Sequence, residues 1–196
     1  MAFRKFLTAG LAAALALGIA GGAVAQNTKS TNSPPAKSAV AVRASLVSAI
    51  ATAEQRTGGR ALKIRAEHEK GVPVYEVKLA AKGKLLIVFV KAADGKVIKT
   101  EDEGRLDKAM DRDDRSEVAK FLAAPTTLGA AIKVAVQRTG GKAIKAAYEN
   151  EDDKTRIEVK TMNGKVLRSV KIDAATGKII KVRHEDRDID HEHEED

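Results

Sequence analysis

Leu46, Ala49, Ile50 and Ala53 stand at the i, i+3, i+4, i+7 spacing that gathers apolar side chains on one face of a helix, and Leu128, Ala131, Ile132 and Ala135 repeat it. Ser45 and Thr127 are placed to cap the two helices, and Gly58 and Gly140 to stop them in a left-handed conformation. Beyond the glycines the period falls to two. Tyr75, Val77 and Leu79 alternate with Glu76 and Lys78, and Ile157 and Val159 with Glu158 and Lys160, which predicts strands with one wet face. Gly83-Lys84 and Gly164-Lys165 mark turns into a second hairpin strand, and Ala93-Asp94-Gly95 and Ala175-Thr176-Gly177 turns into the last one.

The two halves are copies. Gln55-Arg56-Thr57-Gly58-Gly59-Arg60-Ala61-Leu62-Lys63 returns 82 positions later as Gln137-Arg138-Thr139-Gly140-Gly141-Lys142-Ala143-Ile144-Lys145. Each copy reads as one helix followed by about four short strands. A strand layer with one apolar face must bury it, and the amphipathic helix is the cover available within each copy. The expected fold class is therefore α+β: two tandem repeats, each one helix packed on a small antiparallel sheet, over residues 44–103 and 126–185.

With the Thr-Gly-Gly-Lys/Arg helix end, the Tyr/Ile-Glu-Val-Lys strand and the closing run Val170-Lys171-Ile172-Asp173-Ala174-Ala175-Thr176-Gly177-Lys178-Ile179-Ile180, each copy resembles the PepSY family. The second copy matches better, because the first has Lys91-Ala92 where the second has Ile172-Asp173. The resemblance implies a helix on an antiparallel sheet, and no catalytic residues to carry over. It also implies the setting of such modules, in propeptides of thermolysin-like metallopeptidases and in exported bacterial proteins, where they inhibit or regulate proteases near the cell envelope.

Arg4 and Lys5, the apolar stretch from Phe6 to about Ala20 and the small residues up to Ala25 have the order of a secretory signal, so residues 1–25 are expected to be cleaved before Gln26. That places the chain in the periplasm or outside the cell, with no transmembrane segment after cleavage. Residues 26–43 are polar and contain Pro34-Pro35, as in a disordered spacer. Between the copies Leu106, Met110, Val118, Phe121 and Leu122 fall on helical spacing, which predicts one connecting helix over 104–125, ended by Pro125. The tail 186–196 is acidic.

Composition narrows the chemistry. The 196 residues include no Cys, which excludes disulfides, thiol catalysis and Cys-ligated metal, and aromatics at 3% are too few for stacking platforms. A formal charge of +8 suggests an anionic partner, but the basic residues alternate with acids rather than cluster, so no nucleic-acid role is expected. Asp111, Asp113, Asp114 and Glu117 lack the turn glycine of a calcium loop and read as an exposed helix face. No Ser stands in a nucleophile elbow, and no enzymatic activity or cofactor is expected. His184, His191 and His193 offer imidazole ligands to a divalent metal such as zinc, although a flexible end must pay its own ordering entropy.

Leu85-Leu86-Ile87-Val88-Phe89-Val90 is apolar at consecutive positions. With Val166 set against Leu85 and Val170 against Phe89, Ser169 and Lys171 fall where the first copy has Val88 and Val90. A strand apolar on both faces needs cover on both. Leu86, Val88 and Val90 are thus a candidate contact surface for the connecting helix, the second copy or another protein. The reading is an exported, non-catalytic binding or regulatory protein whose partner is a protein, an envelope protease being the expected class. The alternative is a metal- or cation-responsive periplasmic protein that uses the His/acidic tail.

Overall fold

The computed structural model describes residues 44–185; the expected signal segment 1–25, spacer 26–43 and tail 186–196 lie outside the described residues. Helix α1, Leu46–Thr57, starts at Ser45, whose side chain accepts from the Ser48 N–H while the Ser48 side chain reaches back to the Ser45 N–H, and stops at Gly58 with φ +67°. Helix α4, Leu128–Thr139, starts at Thr127, which accepts from the Ala130 N–H, and stops at Gly140 with φ +67°. The second glycine of each pair serves a different need. A Cβ on Gly59 would lie 2.6 Å from the Ala80 carbonyl oxygen, and one on Gly141 2.8 Å from that of Met162. Thr-Gly-Gly is thus a helix stop followed by a close backbone crossing.

Strands β1 (Arg60–Glu69), β2 (Val72–Ala81), β3 (Lys84–Lys91) and β4 (Val97–Arg105) follow α1; β5 (Lys142–Glu151), β6 (Lys154–Asn163), β7 (Val166–Asp173) and β8 (Ile179–Glu185) follow α4. In place of two small sheets they make one antiparallel sheet of eight strands, in the order β4-β3-β2-β1-β5-β6-β7-β8. The joint is β1 against β5, pairing Lys63 with Ala147, Ile64 with Ala146 and Arg65 with Lys145. Ile64 and Ala146 are the same position of the two copies, so a local two-fold axis passes between them. In the helix layer Gly129 lies against its own counterpart, Val47. Two separate sheets would have left four edges with unpaired backbone groups; joining like edge to like edge leaves two.

The predicted single connecting helix is divided. β4 runs on to Arg105, α2 covers only Leu106–Ala109, and Met110 is extended before α3, Arg112–Ala123. Asp111 causes the break, because its carboxylate accepts from the Asp114 N–H and starts a new helix whose first turn carries Asp113 and Asp114. Val118 and Phe121 are buried, and the Phe121 ring stacks on Tyr148 at 5.4 Å between centroids.

The main core lies between α1 and α4 and one face of the sheet, with Ala49, Ala53, Ile64, Val77, Leu79, Val88, Ala131, Ala135, Val159 and Val170 fully buried. Among the described residues no single helix is long and apolar enough to cross a membrane.

Candidate functional site

Residues directly opposite each other in an antiparallel pair share a face. Tyr75 pairs with Val90, Val77 with Val88 and Leu79 with Leu86. Val77, Leu79, Val88 and Val90 are buried in the core and Leu86 packs against it half-buried, so the row Leu86, Val88, Val90 faces inward and its contacts are made within the chain. The outward row of β3 is Leu85, Ile87 and Phe89, opposite Ala80, Lys78 and Glu76.

The two hairpins correspond one residue away from the alignment that their glycines suggest. Leu79 pairs with Leu86, and Thr161, 82 positions on, pairs with Arg168, so the offset of 82 persists through β3 and β7. Ser169 therefore corresponds to Ile87, and Lys171 to Phe89. The two turns have equal length but different glycine positions: Lys82 (φ +49°) and Gly83 (φ +74°) in one, Gly164 (φ +59°) and Lys165 in the other. Superposing the glycines shifts the register by one, and a shift of one exchanges the faces of a strand. The asymmetry between the copies is real, but it lies on the outward face.

Among the described residues no helix covers the centre of that face, which is laid out by charge. Phe89, 7% exposed, lies under Lys99, whose Nζ is 5.3 Å from the ring centroid. Arg65 grips Glu76 with two bonds, Nε to Oε1 at 3.1 Å and Nη2 to Oε2 at 2.9 Å, and meets Glu67 at 2.8 Å. Lys78 pairs with Glu103 at 3.0 Å and Lys160 with Glu185 at 2.7 Å. Beside the two-fold axis stand Lys63 and its counterpart Lys145. Burial, then the charges of Lys145, Arg65 and Lys78, lower the Lys63 pKa, while Glu76 opposes them.

Glu67 and Glu76 correspond to Glu149 and Glu158, but Arg65 corresponds to Ala147. Without the guanidinium, Ser169 Oγ donates to Glu158 Oε1 at 2.6 Å, and the Glu149 and Glu158 carboxyl groups stand as like charges beside each other. Burial foremost and then the Glu158 charge hold the Glu149 carboxyl above the ordinary range, against the opposite pull of Lys171 and Lys145.

The free edges of the sheet are β4 and β8. Both carry a register irregularity, near Phe89/Val90 and Lys171/Ile172 of their neighbours, and both expose an isoleucine there, Ile98 and its counterpart Ile180. Bulges and edge lysines hinder uncontrolled pairing with other chains. His184 is exposed on β8, while His191 and His193 lie outside the described residues. Among the described residues no three His, Cys, Asp or Glu side chains are grouped to hold a metal ion. His68 is exposed at the end of β1, and Asp111 is a helix cap.

The architecture defines a class, a duplicated module of one helix against one face of an antiparallel sheet. A family model, PepSY, described as "Peptidase propeptide and YPEB domain", matches residues 43–101 and 127–183, more than half of the chain. The chain belongs to the PepSY family and carries that domain in tandem. Among solved structures, a "putative lipoprotein" from Clostridium difficile 630 is similar at 20% identity with a TM-score of 0.41, over 70% of this chain and 90% of that one. Comparison with curated proteins found no match.

Proposed function

We propose that this is an exported, non-catalytic binding protein of the periplasm or cell exterior that restrains an envelope protease, with the open face and free edges of its sheet as the contact surface. The observation that carries the reading is the outward face of the sheet, whose centre no helix covers among the described residues and which is built from half-buried charged side chains. Such a face recognises a partner by charge, while an edge such as β8 adds backbone hydrogen bonds to an extended segment. The family description names peptidase propeptides, which supports a peptidase as the partner class. The basic and apolar order of residues 4–25 supports export.

The test is an activity assay of an envelope metallopeptidase of the thermolysin type titrated with the full chain. Inhibition that saturates with concentration, and weakens when Ile180 and Val182 on β8 are both replaced by Lys, is expected. Unchanged peptidase activity together with no complex on gel filtration would overturn it. A divalent-metal site using His184, His191 and His193 is a separate proposal, tested by calorimetric zinc titration of the chain and of its triple His→Ala variant.

A further inference from the structure

The first copy shows what its acidic pair on the outward face is built to hold. Glu67 and Glu76 converge on Arg65, and Glu76 receives both of its forked bonds. The second copy keeps the two acids, as Glu149 and Glu158, on the same strands and the same face, and replaces the arginine with Ala147. Among the described residues neither Glu149 nor Glu158 stands in an ion pair. What remains there is one Ser169 hydroxyl on Glu158. Two half-buried carboxylates side by side repel each other unless a cation arrives.

We propose that Glu149 and Glu158 form a socket for an arginine side chain of a protein partner, which takes the place that Arg65 fills in the first copy. The binding role proposed above supplies only the source of that arginine. Ala147, opposite Lys63 in the register, carries only a methyl group where Arg65 carries its guanidinium, and the planar fork of a guanidinium matches a carboxylate in a way that an ammonium does not.

Two of the chain's own cations beside the pair bond a different carboxylate. Arg156 is directly opposite Glu149, yet its Nη1 bonds Glu151 at 2.7 Å and its buried Nε has no partner. Lys171 also binds Glu151, at 2.9 Å. Lys145 occupies the place of Lys63, beside the axis, and Lys160, opposite Lys145 in the register, binds Glu185. Glu151 thus engages both Arg156 and Lys171, while Lys171 and Lys145 act on Glu149 only through their charge.

The experiment follows the side-chain carboxyl signals of the full chain by NMR through a pH titration, with and without N-acetylarginine amide, and with the neutral N-acetylcitrulline amide as control. Glu149 is expected to titrate above the ordinary glutamate value without ligand. At saturating N-acetylarginine amide its midpoint should fall by about one unit, tenfold in proton affinity. The citrulline probe should leave it in place, and Glu67 should respond to neither. Ala147→Arg should lower the Glu149 midpoint and abolish the response, and Glu158→Gln, which preserves shape, should also abolish it. An ordinary Glu149 midpoint without ligand, an equal effect of citrulline, or a response that survives in both variants would overturn the socket. An arginine response in a chain that inhibits no protease would retain the socket and remove the protease.

Discussion

Tyr75 and Tyr148 secure the same carbonyl of the two copies from different strands. The Tyr75 hydroxyl on β2 donates to the Ala44 carbonyl at 2.8 Å, and the Tyr148 hydroxyl on β5 to that of Thr126 at 2.6 Å, and Ala44 and Thr126 are counterparts just ahead of α1 and α4. The second tyrosine does more. It also accepts from Arg60, whose guanidinium binds the Leu122, Ala124 and Thr126 carbonyls, so a residue of the first copy holds the link to the second. Tyr75→Phe is expected to cost about 1 kcal/mol of stability, and Tyr148→Phe more, because it removes a partner of a partly buried charge. Denaturant titration of the two variants and of Arg60→Ala/Tyr148→Phe should show non-additivity for the Arg60–Tyr148 pair.

Gly141→Ala presses a methyl group wholly against backbone, and Gly59→Ala against the Ala80 carbonyl and the buried Ala81 and Leu79 side chains. Each should cost about 1–3 kcal/mol in chemical denaturation. Gly129→Ala meets ordinary contact distances at Val47 and should be nearly neutral, or slightly stabilising through helix propensity.

The faces of β3 are separable by substitution. Val88 is fully buried beneath the helical layer and Ile87 half-buried on the open side. Val88→Ser should lose on the order of 3 kcal/mol, and Ile87→Ser, which installs the residue found at position 169, less than half of that. Equal losses in thermal unfolding would reverse the assignment of faces.

Asp114 is 2% exposed, and its Oδ1 has no hydrogen-bond partner. Burial, followed by the charges of Asp111, Glu117 and Asp113, raises its pKa above the ordinary aspartate value. A carboxyl raised in the folded state adds stability that is fully present below its unfolded pKa and is lost as pH rises through the folded one. Asp114→Asn should therefore be more stable than the parent at neutral pH, with the gap narrowing as pH falls through the raised folded pKa and closed by pH ~4. Urea midpoints measured across that range check the sign.

Much of this fold was legible because helix caps, apolar periodicity and the Thr-Gly-Gly pair act locally and recur. The union of the sheets was not, since nothing in the β1 sequence distinguishes an edge facing water from one facing its own counterpart across Ile64 and Ala146. The break at Asp111 was hidden by apolar spacing that continues in phase across it. The site residues at Glu149 and Glu158 stood in the alternating pattern as ordinary wet-face acids. The signal that would have drawn attention to them was available, a lost arginine at position 147 beside two retained glutamates. It emerges only when the copies are compared position by position and the register is known.

The two-fold seam between β1 and β5 bears on ancestry as well as on shape. If one unit associated with an identical chain across the same seam, both halves would have to carry the same residue at every position, and arginine at the site of Arg65 would appear twice. Joining the halves in one chain ends that constraint. One copy can keep its arginine and remain internally neutralised while the other gives it up and opens its acids to a visitor. Duplication here divides labour between two halves that a symmetric pair would be bound to keep alike.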